Sequence, residues 1–118
     1  MKTVYVMPYI DIDVKNAHNM INDGSDSNLI ILDVRTQSEY EKGHLEKAIL
    51  IPVTELQSRI NELLQYINNE IIVYCHIGAR SSQASSILDS NKFTKVYNIL
   101  GGIAAWESAN YSVIPEFP

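Results

Sequence analysis

A single cysteine stands among the 118 residues of this chain. One thiol excludes an intramolecular disulfide and any zinc cluster built on cysteines, and a free thiol suits a reducing compartment. Runs of basic residues are missing too. Nine Lys and Arg against fourteen Asp and Glu give a formal net charge of −5. That balance argues against nucleic acid or an anionic membrane as the main partner, because both attract clustered cations. Long apolar runs are also missing, and the longest, 28–34 and 48–53, are far too short to span a bilayer. The Met1–Val6 start carries one lysine and no extended apolar core, so it does not read as a signal peptide. Three scattered histidines and one cysteine have no metal-ligand spacing. Internal repeats, low-complexity tracts and linkers are absent, and 23–28 is a turn too short to separate domains. The expectation is one domain over 1–118, with its core at about 9–110, in the cytoplasm, with no metal, nucleic acid or membrane partner.

What is present is ordinary for a globular protein: 46% hydrophobic and 19% charged residues. Ile/Val/Leu-rich runs at Tyr9–Ile12, Leu29–Val34, Ala48–Ile51, Ile71–Tyr74 and Lys95–Ile99 read as strands. The middle three are nearly continuous in apolar residues, which suits strands covered on both faces. Helical patterns lie between them. Val14, Ala17, His18 and Ile21 follow a capping Asp13, and Gly24 can end that helix. Leu56, Ile60, Leu63, Leu64 and Ile67 form a stripe introduced by Thr54 and Gln57 at capping-box spacing. A Ser-rich helix spans 82–90, and Ile103 to Trp106 begin a last one after Gly101-Gly102. Strand and helix in alternation predict an α/β fold whose central, mainly parallel sheet of five strands carries helices on both faces.

The segment from Ile71 to Ser82 carries the chemistry. A β-branched run delivers Cys75 to a short loop, His76-Ile77-Gly78-Ala79-Arg80, and a helix-compatible stretch follows. A parallel strand running into a helix puts that loop at the carboxyl edge of the sheet, where open α/β proteins bind ligands. Helix-initial N–H groups then face the loop, and a cysteine beside them and beside an arginine ionises more readily. Cys75 therefore reads as a nucleophile, although a lone cysteine ending an apolar strand is otherwise a small core residue.

Four motifs in order resemble one family. They are Asp33-Val34-Arg35 with Glu39-Tyr40, then Gly43-His44-Leu45 through Pro52, then the Cys75–Arg80 loop with Ser81, then Gly101-Gly102 through Trp106. The chain resembles a single-domain rhodanese-like sulfurtransferase over nearly its whole length. The resemblance implies the rhodanese-like three-layer fold. It also implies transfer of a sulfane sulfur, from a donor such as thiosulfate or a persulfide, through a persulfide on Cys75. Cyanide or a thiol would accept the sulfur, with a sulfur-carrying protein as a further candidate partner and no cofactor. The backbone N–H groups of His76, Ile77, Gly78, Ala79 and Arg80 would ring the sulfur, with Gly78 allowing the positive φ or the close approach such a ring needs. Arg80 would hold the loop and attract an anionic donor.

Cys75 to Arg80 is six residues inclusive, one fewer than in the cysteine phosphatases, so the resemblance points away from phosphate hydrolysis. His76 and Ile77 stand where the family often carries a basic residue, and Glu46 and Lys47 where it tends to carry Pro and Gly. The other reading is a non-catalytic rhodanese-like module that binds a partner or presents a regulatory thiol.

The remaining polar residues have structural explanations. Asp33 and Arg35 would tie the end of the second strand to neighbouring loops. Thr36 and Glu39 match a capping box, which explains Glu39 as a helix start rather than an acid. His44 reads as structural, His18 as a core histidine and His76 as facing solvent. Gly101-Gly102 reads as a tight turn that lets Trp106 pack.

Overall fold

The computed structural model describes residues 8–24 and 26–115; the Met1–Val6 start and Ser25 lie outside that set. Five strands are present: β1 (Ile10–Ile12), β2 (Ile30–Asp33), β3 (Ile49–Leu50), β4 (Glu70–Tyr74) and β5 (Lys95–Ile99). The helices are α1 (Val14–Asn22), α2 (Gln37–Lys42), α3 (Val53–Leu56), α4 (Ala79–Ser90) and α5 (Gly102–Ser108). A 3-10 helix at Ile60–Tyr66 follows α3. The strands form one sheet in the order β1-β5-β4-β2-β3, and every pairing is parallel. The expected fold is therefore present, with a sheet that is wholly rather than mainly parallel.

Residues of alternate parity on β2 and β4 supply two cores, one on each face. Leu32, Val34, Ile71, Val73 and Cys75 pack with Leu56, Leu63, Ala84 and Leu88 from α3, the 3-10 helix and α4. On the other face Ile31, Ile72, Tyr74 and Ile99 pack with Ala17 of α1 and Ile103 and Trp106 of α5. Burying each large apolar side chain contributes roughly 1.5–3 kcal/mol. Both faces of these strands are buried, which is why they are continuously apolar in sequence.

Local signals decide several boundaries. The Asn16 N–H donates to Asp13 Oδ1 at 2.8 Å, which caps α1. Thr36 and Glu39 form a reciprocal capping box at α2. The Thr54–Gln57 box does not form. Pro52 occupies the N-cap of α3 and no side chain caps it. The helix read from the 56–67 stripe splits there, because the chain tightens into i→i+3 bonds such as Glu62 N–H to Arg59 O at 3.0 Å. Leu56 and Leu63 still reach the core, while Leu64 is exposed. Among the described residues no helix is long and apolar enough to cross a membrane.

Candidate active site

The central strand, β4, ends at Tyr74, and Cys75 follows it directly. From β4 the chain goes to β5 on one side, whereas from β2 it goes to β3 on the other. The loops after β2 and β4 thus leave in opposite directions. Parallel sheets open a crevice at such a point. The Cys75 loop and the start of α2 face one another across it.

Cys75 is 1% exposed. The Gly78 N–H donates to its Sγ at 3.1 Å, and the thiol donates to Ser81 Oγ at 3.4 Å. The Ser81 hydroxyl in turn donates to Gly78 O at 3.2 Å. Gly78 has φ +130°, a value that side chains rarely allow, as the loop reading required. It precedes α4, whose first intrahelical backbone bond runs from Ser82 N–H to Gly78 O, so the amides of Ala79, Arg80 and Ser81 have no acceptor within the helix. His76 and Ala79 are exposed, and Ile77 protrudes at 66%.

The loop is held from behind by α5. Ile103 N–H donates to Cys75 O at 2.9 Å, and Ala104 N–H to His76 O at 3.1 Å. Gly102 makes this approach possible: at its φ of +57°, an added Cβ would lie 2.4 Å from Cys75 O. The double glycine was expected to serve the packing of Trp106. Trp106 does pack, at 5% exposure, yet the closer constraint on Gly102 is the backbone of the cysteine loop. Sequence reasoning missed this contact.

Beneath the crevice lies a buried polar network. The Arg35 guanidinium donates to both carboxylate oxygens of Asp33, its Nη2 reaching Oδ2 at 2.7 Å and the Gly43 carbonyl also at 2.7 Å. Tyr74 O–H donates to Asp33 Oδ2 at 2.6 Å and accepts from Leu45 N–H at 3.1 Å. Burial, then the Asp33 charge, pushes the Tyr74 phenol well above its ordinary value, so it stays a donor. These bonds tie β2 and β4 to the 43–45 turn, as expected for Asp33 and Arg35. A Tyr74→Phe protein should lose about 1–3 kcal/mol, because Leu45 N–H is left without its acceptor in a dry site. Chemical denaturation measures that loss; an unchanged midpoint would mean the hydroxyl contributes nothing to the tie.

Arg80, expected to hold the loop and attract an anionic donor, has a partner that sequence reasoning missed. Instead of a free cation it is one half of an ion pair: Nη1 meets Glu39 Oε1 at 2.7 Å and Nη2 meets Oε2 at 3.0 Å. The two residues are 41 positions apart and come from opposite walls of the crevice. Glu39 does start α2 as expected, since Thr36 N–H donates to its Oε1 at 3.2 Å. The hydrogen bond from Arg80, aided by those from Thr36, holds the Glu39 carboxyl down to about 2 from 4.5. A carboxyl with a depressed folded-state value stabilises above its unfolded value, and that contribution is lost as pH falls from about 4.5 toward 2. The melting-temperature difference between the parent and Glu39→Gln should therefore shrink across that acid window. A constant difference would contradict the pairing.

His44 Nδ1 bonds to Tyr40 O at 2.7 Å and its ring stacks on Tyr40, while His18 stacks on Tyr111 with ring centroids 3.9 Å apart. Both histidines lie in structural contacts, and neither reaches Cys75. Among the described residues no three His, Cys, Asp or Glu side chains gather as metal ligands would.

Comparison with known proteins gives one consistent family. The profile of the rhodanese-like domain matches residues 13–109. A sulfurtransferase of Allochromatium vinosum is 30% identical over 107 residues, spanning 90% of this chain and 96% of that protein. A Bacillus subtilis protein described as a candidate sulfur carrier is 43% identical over 82 residues. That match spans 70% of this chain and 43%, less than half, of the relative. The crystal structure of a rhodanese-related protein from Thermoplasma volcanium has a TM-score of 0.80 at 27% identity, covering 92% of this chain and all of that one.

Proposed function

Because this chain belongs to the rhodanese-like family, we propose that it is a sulfurtransferase that carries a sulfane sulfur as a persulfide on Cys75. In the first step the Cys75 thiolate attacks the outer sulfur of a donor such as thiosulfate. The Sγ–S bond forms, the donor S–S bond breaks, and its electron pair leaves with sulfite. In the second, cyanide or a thiolate attacks that outer sulfur, the Sγ–S bond breaks, and the pair returns to Cys75.

The observation that carries this reading is the Gly78 N–H aimed at Sγ from 3.1 Å, at the mouth of a helix. A preorganised donor there favours the anionic sulfur at no reorganisation cost. The Ser81 hydroxyl can turn from Gly78 O to Sγ when the thiol proton leaves, adding a second donor. The loop amides of His76, Ile77, Ala79 and Arg80 are assigned the space around the outer sulfur.

The 1% exposure of Cys75 favours one rival, a module that sequesters a thiol without turnover. Intact-protein mass separates the two. After incubation with thiosulfate, mercaptopyruvate or glutathione persulfide, the protein should gain one sulfur atom and lose it to cyanide. A protein that never gains that mass is the non-catalytic module.

A further inference from the structure

The charges around Cys75 are arranged in cancelling pairs. Arg35 is spent on Asp33 beneath the crevice. Arg80, the cation of the loop itself, is met by both oxygens of Glu39. The open cleft alongside, about 490 Å³, is lined by Lys42 and Glu107 together with His76, which again offsets one charge with another. The surroundings of Cys75 thus hold cations (Arg35, Arg80, Lys42) and carboxylates (Asp33, Glu39, Glu107) in equal number.

We propose that Glu39 is a specificity-determining residue: by pairing with Arg80 through both carboxylate oxygens it removes the attraction for dianionic reactants, so that Cys75 takes sulfane sulfur borne on thiols in preference. The proposal rests on the sulfurtransferase reading and adds to it the class of donor. Three features support it. The pair is bidentate, so the Nη1 and Nη2 edge of the guanidinium is taken up by Glu39. Glu39 is held by Thr36 independently of Arg80, so its carboxylate is already in place to receive the guanidinium. Finally, Ile77, the most exposed large apolar side chain beside the cysteine, offers a neutral reactant an apolar contact.

The test measures the charge at Cys75 without requiring turnover. Sulfur-free protein is alkylated with iodoacetate, an anion, and with iodoacetamide, its neutral counterpart. The ratio of the two rates cancels the thiolate fraction. In Glu39→Gln, which keeps the shape and the capping oxygen, this ratio should rise about threefold or more at low salt, and added salt should erase the gain. The thiosulfate kcat/KM relative to that of the persulfide of an otherwise uncharged thiol should rise in parallel. A second Arg80→Gln change should return the ratio to the parent value. In the parent protein the ratio should be insensitive to salt; a ratio that falls as salt is added overturns the proposal even where the variant does not fold. An unchanged ratio in folded Glu39→Gln overturns it as well. Failure of sulfur transfer alongside a raised alkylation ratio would instead overturn the sulfurtransferase reading and keep Glu39 as the residue that sets the charge.

Discussion

Cys75→Ser should transfer no sulfur, its rate falling by about four orders of magnitude or more, while the fold persists. No second thiol exists to take over the covalent step. Hydroxyl for thiol is nearly isosteric, and the polar surroundings suit it. Gly78 N–H can still donate to the new oxygen, and Ser81 can still accept from it. The stability change should stay within about 1 kcal/mol, the net scale of one hydrogen bond. Persulfide mass, cyanide-dependent turnover and a thermal melt check the two halves together. Turnover that survives in pure Cys75→Ser would remove Cys75 from the mechanism.

Gly102→Ala is expected to produce the largest structural effect. The new methyl would sit 2.4 Å from Cys75 O and 2.5 Å from His76 O, both backbone atoms that cannot rotate aside. Alanine at a φ of +57° adds a penalty of roughly 1–2 kcal/mol. Overpacking against the loop adds about 1–3 kcal/mol. Together these lower the melting temperature by about 10 °C or more for a domain of this size. Whatever protein remains folded must push the cysteine loop off α5. Its turnover should therefore fall even where its circular dichroism is normal. A parent-like melt with parent-like kinetics would show that α5 does not set the loop.

Much of this was legible in the chain because the signals are local. Apolar continuity at 71–74 marks the central strand, and Asp13 and the Thr36–Glu39 box mark helix starts that do form. The turn at 46–47, where the family tends to carry Pro and Gly, holds Lys47 at φ +67°, so the backbone keeps a shape that suits glycine. The failures are of two kinds. At 54–67 a 3.6-residue stripe and a 3-10 turn place nearly the same residues inward, and periodicity could not tell them apart. Arg80 with Glu39, and Gly102 with Cys75 O, are contacts between elements distant in sequence. Their partners follow from the strand order, which no local pattern states. The one usable signal was topological: the loops after β2 and β4 share a sheet edge.

That strand order also fixes a timetable for the ribosome. The edge strand β1 joins the sheet only through β5, and Asp11 meets Asn98 across 87 positions. At typical translation speeds, Ile10–Ile12 waits roughly 4 to 17 seconds for a neighbour to be synthesised. β2, β3 and β4 are synthesised about 1 to 4 seconds before β5 begins. Over that stretch the cysteine loop has been synthesised while the residues that brace it, 102–104, have not. Among the described strands β1 is the earliest synthesised, its one neighbour is the latest, and the cysteine loop has its full set of backbone partners only once α5 is present.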